Sequence, residues 1–136
     1  MTEMKIGKYA LVSAVVDDTN TALAVESGGL AVFSTPMMIA LMERAAFECL
    51  EENLEPGQTS VGTAINISHN VACPVGAEIT ATAIIDGIFE RRIEFSVAAC
   101  DNHGEIGNGK HTRMIVDSQR LMDKAIARSK QEQDNL

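Results

Sequence analysis

The sequence predicts an α+β fold in which an antiparallel sheet of about five strands wraps around one long central helix. The first observation behind this prediction is STPMMIALMERAAFECL, residues 34–50, which is apolar on nearly every side. The second is the alternation of apolar and polar residues that dominates most of the chain after this segment. A helix of this kind must be covered on most sides, and one curved sheet does so economically.

The predicted elements begin with a strand in YALVSAVVD, which is rich in β-branched residues. The segment that follows, DDTNTALAVESGG, has a mixed pattern and ends in a glycine pair, so a loop is predicted. Thr35 followed by Pro36 predicts a helix start, because a hydroxyl can cap free N–H groups and proline is favoured at the first helical position. The helix is predicted to run to about Asn53 and to end at EPGQ.

Four further strands are predicted from alternation in SVGTAINISHNVACP, AEITATAIIDGIFE, RRIEFSVAACD and KHTRMIVDSQ. Turns are predicted at PVG, GIFERR and NHGEIGNG, and SQRLMDKAIARSK predicts a short amphipathic C-terminal helix. This order of elements describes a hotdog fold. The chain, residues 1–136, is predicted to form a single domain with a frayed tail from about residue 129.

Composition argues against several classes of function. A formal net charge of -8, with one Tyr and no Trp, opposes binding to nucleic acid and leaves little for stacking on bases. Cys49, Cys73 and Cys100 are an odd set with wide spacing, so neither a disulfide framework nor a zinc site is indicated. They are expected to be buried thiols in a reducing compartment.

No apolar run is long enough for a signal peptide or for the roughly 20 residues of a membrane span. The cytoplasm is therefore the expected compartment, and no membrane partner is expected.

Glu43 and His69 are the first two candidate functional residues. Glu43 lies in the middle of the apolar helix, and His69 lies on an apolar strand face. That face, which is predicted to look at the helix, comprises Val61, Thr63, Ile65, Ile67, His69, Val71 and Cys73. Burying either charge alone costs several kcal/mol or forces the group neutral, whereas a pair is tolerable. The two side chains are therefore expected to meet each other or a ligand.

Thr35 is the third candidate. As the predicted N-cap it lies where free N–H groups and the helix dipole favour developing negative charge on a carbonyl oxygen. Its hydroxyl can cap the helix, orient a substrate or attack one. Thr35 and Glu43 are eight residues apart, which is roughly 12 Å of helical rise. We therefore hypothesise a composite site, in which Thr35 of one chain faces Glu43 of a second copy.

Each candidate also has a simpler interpretation. Glu43 can be a solvated residue beside Arg44 and Glu48, His69 a satisfied core histidine, and Thr35 a helix cap and nothing more. Taken together, the three residues favour the catalytic interpretation. His103 and His111, with Asp101, are interpreted as exposed loop residues, and no metal site is predicted.

Three stretches, STPMMIALMERAAFECL, LEPGQTSVGTAINISHNVACPVG and GEIGNGKHTR, closely resemble the fluoroacetyl-coenzyme A thioesterase family. The resemblance spans residues 31–122 and includes the spacing of Thr35, Glu43 and His69. It implies a homodimeric hotdog thioesterase that hydrolyses a short-chain acyl-coenzyme A, with these three residues as the catalytic set. No separate cofactor is implied, because coenzyme A is part of the substrate.

The resemblance also implies substrate-binding residues. Gly62 is placed near the substrate, and a family arginine near the end of the sheet falls on Arg113. Ser34 and Pro36, on either side of Thr35, complete the candidate set. Three basic residues are candidates for meeting the coenzyme A phosphates on this acidic protein, although a solvated strand end is an equally good interpretation: Arg91, Arg92 and Lys110.

The segment before the helix departs from the family pattern. The fluoroacetyl-specific enzyme supplies a phenylalanine lid there, whereas TNTALAVESGGLAVF is shorter and has Gly28 and Gly29 at the corresponding place. A thioesterase without the lid, of broader short-chain selectivity, is therefore expected. The alternative is a non-catalytic hotdog protein that binds an acyl-coenzyme A as a carrier or sensor. A hotdog hydratase would need an Asp and His arrangement that the sequence lacks.

Overall fold

The structure, a computed structural model, describes residues 3–131. Five strands form one antiparallel sheet in the order β1-β3-β4-β5-β2, and the long helix lies against one face of it. This confirms the predicted α+β hotdog fold. In chain order the elements are β1 (Tyr9–Val15), α1 (Thr35–Glu51), β2 (Gln58–His69), β3 (Glu78–Phe89), β4 (Arg92–Asp101), β5 (Gly104–Asp117) and α2 (Ser118–Ser129).

The start of α1 corrects one prediction. The N-cap is Ser34, whose extended backbone precedes the helix and whose Oγ accepts the N–H of Met37 at 3.2 Å. Thr35 is the first helical residue and Pro36 the second, so Thr35 is not the cap. A hydroxyl at either position fits the sequence signal, and only the backbone conformation of Ser34 separates them.

Replacing Ser34 by Ala is expected to destabilise the protein by about 1 kcal/mol, because the buried cap loses its bond to the first turn. Replacing Thr35 by Ala should cost less than about 0.5 kcal/mol, since Thr35 is exposed. Urea unfolding of both variants measures the difference. A larger loss for Thr35→Ala would contradict the assignment of the cap.

Helix α1 is covered on one side only. Glu43 lies at the margin of the buried side, and its side chain is 43% exposed, so the prediction of a carboxylate surrounded by the core is wrong. This exposure agrees with the simpler interpretation of Glu43 as a partly solvated residue, and the neighbouring Arg44 and Glu48 form an exposed pair at 3.0 Å. The buried residues of the helix are Met38, Leu41, Met42, Ala45, Ala46, Cys49 and Leu50.

A β-bulge at Thr63 changes which residues of β2 face the helix. The register against β5 shifts between Gly62 and Ala64, so no residue of β5 lies directly opposite Thr63 in the strand pairing. Gly62 lies against Glu43 of the helix, whereas strict alternation predicted Val61 on that side. The prediction that odd-numbered residues of this strand face the helix is therefore wrong before the bulge, and it holds at His69 after it. A bulge moves every side chain before it to the opposite face.

Strand β5 begins at Gly104, earlier than predicted, so most of the predicted turn at NHGEIGNG is strand. Gly104 follows the turn at residues 102–103 with a φ of +136°, whereas Gly107 and Gly109 are explained by close approaches. A Cβ on Gly107 would lie 2.8 Å from Cε of Met38, and one on Gly109 would overlap the carbonyl oxygen of Asn66. At Gly107 and Gly109 the glycine therefore marks tight packing, rather than a turn.

Helix α2 ends at Ser129 and buries none of its residues. Its apolar side consists of Leu121, Met122 and Ile126, which are at least 37% exposed. The rest of the predicted frayed tail, from residue 132, lies outside the described residues. Between residues 3 and 131, no helix has the length and apolar character needed to span a membrane.

The three cysteines are unpaired, but only two fit the prediction of buried thiols. Cys49 and Cys73 are buried, whereas Cys100 is exposed. Burial, assisted by the neighbouring Asp101, raises the pKa of Cys73 to about 11. Cys73 is therefore a protonated, unreactive thiol at neutral pH.

Candidate active site

Thr35 and His69 form the first half-site. Thr35 Oγ1 and His69 Nδ1 share a hydrogen bond of 2.8 Å that joins the first residue of α1 to the last residue of β2. The other ring nitrogen of His69, Nε2, is buried and has no hydrogen-bond partner among the residues that the structure describes. A buried polar atom without a partner is costly, so this nitrogen is available to a further group.

A groove of about 600 Å³ opens beside this pair. Thr35, Pro36 and His69 lie on one side of it, and the loop before the helix supplies part of the other. The loop is held by an isolated bridge between Thr21 and Phe33. The remaining lining residues are small or apolar with one amide, and comprise Ala22, Ser27, Val32, Phe33, Asn70, Val71 and Ala72.

The first turn of α1 presents fewer N–H groups than the sequence suggests. Pro36 has none, and Ser34 accepts those of Met37, at its side chain, and of Met38, at its carbonyl. A row of free N–H groups is thus not available to a carbonyl oxygen. The exposed hydroxyl of Thr35, at the positive end of the helix dipole, is the polar group placed to contact one.

Glu43 forms the second half-site with Arg113. Glu43 Oε2 lies 3.2 Å from Arg113 Nη1 and 3.9 Å from His111 Nε2. Arg113 is only 5% exposed, and Ser60 holds it from the other side. Its Nε donates to Ser60 Oγ at 2.9 Å and its Nη2 to the Ser60 carbonyl at 3.0 Å. Ser60 of β2 therefore fixes the Arg113 guanidinium in place beneath Glu43.

His111 is a residue of this half-site that the sequence interpretation missed. It was expected to be an exposed loop residue, but it lies on β5 and is 2% exposed. Its Nδ1 lies 2.8 Å from the carbonyl oxygen of Ala64. Burial lowers the pKa of His111, as does the nearby charge of Arg113. The sequence feature that could have identified it is its spacing of two residues from Arg113, because residues i and i+2 of a strand lie on the same face.

Gly62 is required at its position by the close approach of Glu43. A Cβ there would overlap Glu43 Oε2 and lie 3.1 Å from Cε1 of His111 and 3.3 Å from Nη1 of Arg113. Gly62 also helps to line a pocket of about 250 Å³ at the carboxylate. The bulge at Thr63 and the missing side chain together leave this space open.

The structure therefore arranges the predicted residues in two groups. Thr35 contacts His69, and Glu43 contacts Arg113 beside Gly62, but within residues 3–131 no hydrogen bond or ion pair links the groups. Of the two alternatives expected for Glu43 and His69, a contact with each other does not occur inside one chain, and a contact with a ligand stays a prediction. Thr35 and Glu43 lie about two turns apart on α1.

The remaining substrate-binding candidates differ in whether their side chains are available to a substrate. Pro36 lines the groove, but Ser34 is fully buried and its hydroxyl holds the helix start, so its side chain is not available to a substrate. Lys110 is paired with Asp86 at 3.0 Å, and Arg92 stacks on Phe89.

Comparison with known proteins gives consistent matches. The model of the family described as fluoroacetyl-CoA-specific thioesterase matches residues 16–119. The fluoroacetyl-CoA thioesterase of Streptantibioticus cattleyicolor is 41% identical over 85 residues, which cover 62% of this chain and 61% of that enzyme. The matched stretch thus spans less than two thirds of that enzyme's length.

Solved structures extend the match. A structure of the fluoroacetyl-CoA thioesterase FlK has a TM-score of 0.87 at 31% identity, and the match covers 96% of this chain and 100% of that one. A hot-dog-like protein from Thermanaerovibrio acidaminovorans has a TM-score of 0.85 at 23% identity, covering 93% and 94%. The second likeness supports the fold alone. Because the family model covers both half-sites, this chain belongs to the fluoroacetyl-CoA-specific thioesterase family.

Proposed function

We propose that this protein is an acyl-CoA thioesterase that hydrolyses a short-chain acyl-coenzyme A to the free acid and coenzyme A. The observation that carries the proposal is the 2.8 Å hydrogen bond between Thr35 and His69 beside an open groove, in a chain of this family. The catalytic residues proposed are Thr35, Glu43 and His69.

In the proposed reaction the thioester carbonyl oxygen lies at the Thr35 hydroxyl, where the helix dipole stabilises negative charge. Glu43 removes a proton from water as the water oxygen attacks the carbonyl carbon. The C–S bond then breaks, the departing thiolate takes a proton from Nε2 of His69, and Glu43 returns to His69 the proton that it took from water. In an alternative first step, a Glu43 oxygen attacks the carbonyl carbon and the C–S bond breaks, which releases the thiolate of coenzyme A and leaves an anhydride. Water then hydrolyses this anhydride to the free acid and the Glu43 carboxylate.

We propose that one site takes its residues from two copies of this chain. The observation behind this is the separation of the half-sites within one chain. In a homodimer the β2 strands of two copies could pair with each other, because β2 lies at the edge of the sheet and is exposed at residues 62–66. An unpaired edge strand presents N–H and C=O groups that another strand can pair with.

Simple register arithmetic supports this arrangement. In an antiparallel pair of identical strands, a two-fold axis at Asn66 sets Ile67 opposite Ile65. Because Thr63 is the extra residue of the bulge, the same axis sets His69 of one chain opposite Gly62 of the other. Gly62 lies against Glu43. The strand that carries Gly62, beside the carboxylate of one copy, would then lie one strand spacing, ~4.8 Å, from the strand that carries His69 of the other. The buried Nε2 of His69 would gain a partner there.

The acyl group is proposed to be short but not restricted to fluoroacetyl. No phenylalanine lid is proposed over the groove: Phe33 lines it but is buried in the core, and the loop otherwise contributes Ala22, Ser27 and Val32. In the same loop a Cβ on Gly29 would meet nothing within 4 Å.

A non-catalytic carrier or sensor is the second candidate. The separation of Thr35 and His69 from Glu43 favours it for an isolated chain, which would offer the groove without the carboxylate. The compartment proposed for either function is the cytoplasm, since the three cysteines are unpaired and reducing compartments keep thiols in that state.

Thiol release from acetyl-, fluoroacetyl-, propionyl-, butyryl- and aromatic acyl-coenzyme A tests the proposal. Turnover of one or more of these esters is expected. Tight binding without turnover of any ester would overturn the proposal and favour the carrier or sensor. Because Cys100 is exposed and reacts with thiol reagents, a protein blank or a Cys100→Ser variant is needed in this assay.

A further inference from the structure

His111 is buried next to Glu43, but the proposed reaction assigns no role to it. Its ring stacks on Phe95 with centroids 6.2 Å apart and planes inclined by 28°. Both ring nitrogens are engaged. Nδ1 lies 2.8 Å from the carbonyl oxygen of Ala64, and Nε2 lies 3.2 Å from Nη1 of Arg113.

These contacts fix the protonation of the ring. A carbonyl oxygen only accepts, so Nδ1 carries the proton and donates to Ala64. Arg113 only donates, so Nε2 must present its lone pair. The ring is therefore a neutral imidazole, in agreement with the lowering of the His111 pKa by burial. The groups facing the ring are Glu43, Arg113, Phe95 and the Ala64 carbonyl.

The acceptor at Nε2 has a consequence for Glu43. Arg113 Nη1 has two N–H groups, and it lies 3.2 Å from both His111 Nε2 and Glu43 Oε2. Nε2 lies only 3.9 Å from the same carboxylate oxygen. An N–H group at the position of Nε2 would attract the Glu43 carboxylate inward. If no group filled this position, the second N–H of Arg113 would be free to attract it. The lone pair of Nε2 avoids both, because it does not attract the carboxylate and it accepts that second N–H.

We propose that His111 is a positioning residue that occupies the second N–H of Arg113 and so holds the Glu43 carboxylate at the mouth of its pocket. Ser60 already anchors the other side of the guanidinium, so His111 is not needed to keep Arg113 in the sheet. Its bond to Ala64, the residue after the bulge, ties this acceptor to the strand that carries Gly62. The inference rests on the proposed role of Glu43 in hydrolysis.

Paired substitutions separate positioning from packing. His111→Gln keeps an acceptor near Nε2, whereas His111→Asn keeps a donor near Nδ1 and loses the acceptor. We expect His111→Asn to lower kcat by about 10- to 100-fold with KM changed less than about threefold. His111→Gln should retain most of the activity, and His103→Gln, on an exposed residue, should be unchanged.

Equal losses of kcat in the Gln and Asn variants, or a loss confined to KM, would overturn the inference. A second readout does not depend on turnover: the carboxyl resonance of Glu43, followed by ¹³C NMR, should move in His111→Asn and stay near the wild-type position in His111→Gln. Wild-type protein without activity would refute the proposed function, and the NMR comparison would still decide the role of His111. If His111→Asn does not fold, His111→Leu takes its place in both measurements.

Discussion

Replacing Glu43 by Gln is expected to lower kcat for acyl-coenzyme A hydrolysis by about 10²- to 10⁴-fold with the fold intact. The amide has the same shape, and its oxygen can still accept the N–H of Arg113 that lies 3.2 Å from the carboxylate. It can neither take a proton from water nor attack the thioester carbon. Steady-state thiol release measures the loss, and circular dichroism checks the fold.

Glu48→Gln is the matched control for this substitution. Glu48 lies on the same helix and pairs with Arg44 on the surface at 3.0 Å. An exposed pair of this kind contributes little, so the control should keep activity within about twofold of wild type. Undiminished turnover in Glu43→Gln would remove Glu43 from the catalytic set.

Replacing Gly62 by Val is expected to reduce activity by about 10²-fold, because the side chain would enter the space that Glu43 occupies. The first added carbon alone would overlap Glu43 Oε2. A displacement of about 1 Å at a reacting group costs up to about 10²-fold in rate. Overpacking should also cost about 1–3 kcal/mol of stability, which urea unfolding measures.

Glu78→Ala serves as the control, since Glu78 is exposed on β3 and lies away from both half-sites and from the β2 edge. It should change neither rate nor stability appreciably. If Gly62→Val keeps wild-type kcat, the carboxylate is not held where the structure places it. Gly62→Ala should give a smaller loss in the same direction, because Glu43 is half exposed and can move outward.

The sequence predicted the elements well because hydrophobic period and turn residues determine them locally. The first strand, the long helix and four alternating segments all correspond to elements of the structure. The errors occur where a single residue changes a pattern. A bulge at Thr63 turned Gly62 toward the helix, and glycines that suggested a turn proved to be close contacts inside β5.

The candidate site was predictable in its residues but not in its contacts. Thr35 and His69 do meet, and their distance from Glu43 follows from helical rise alone. The partner of Glu43 could not be found from the sequence, because it depends on the register between β2 and β5. That register places Arg113 opposite Gly62 and His111 opposite Ile65. His111 was missed for the same reason.

The measurement that tests the composite site most directly combines two inactive variants. Glu43→Gln chains and His69→Ala chains are each expected to lack substantial activity as homodimers. In a mixed dimer, His69 of the first chain meets Glu43 of the second, so one of the two sites is complete. Refolding the two together in equal amounts should restore about one quarter of wild-type activity, because about half of the dimers are mixed. A mixture no more active than its parents would contradict a site shared between two chains.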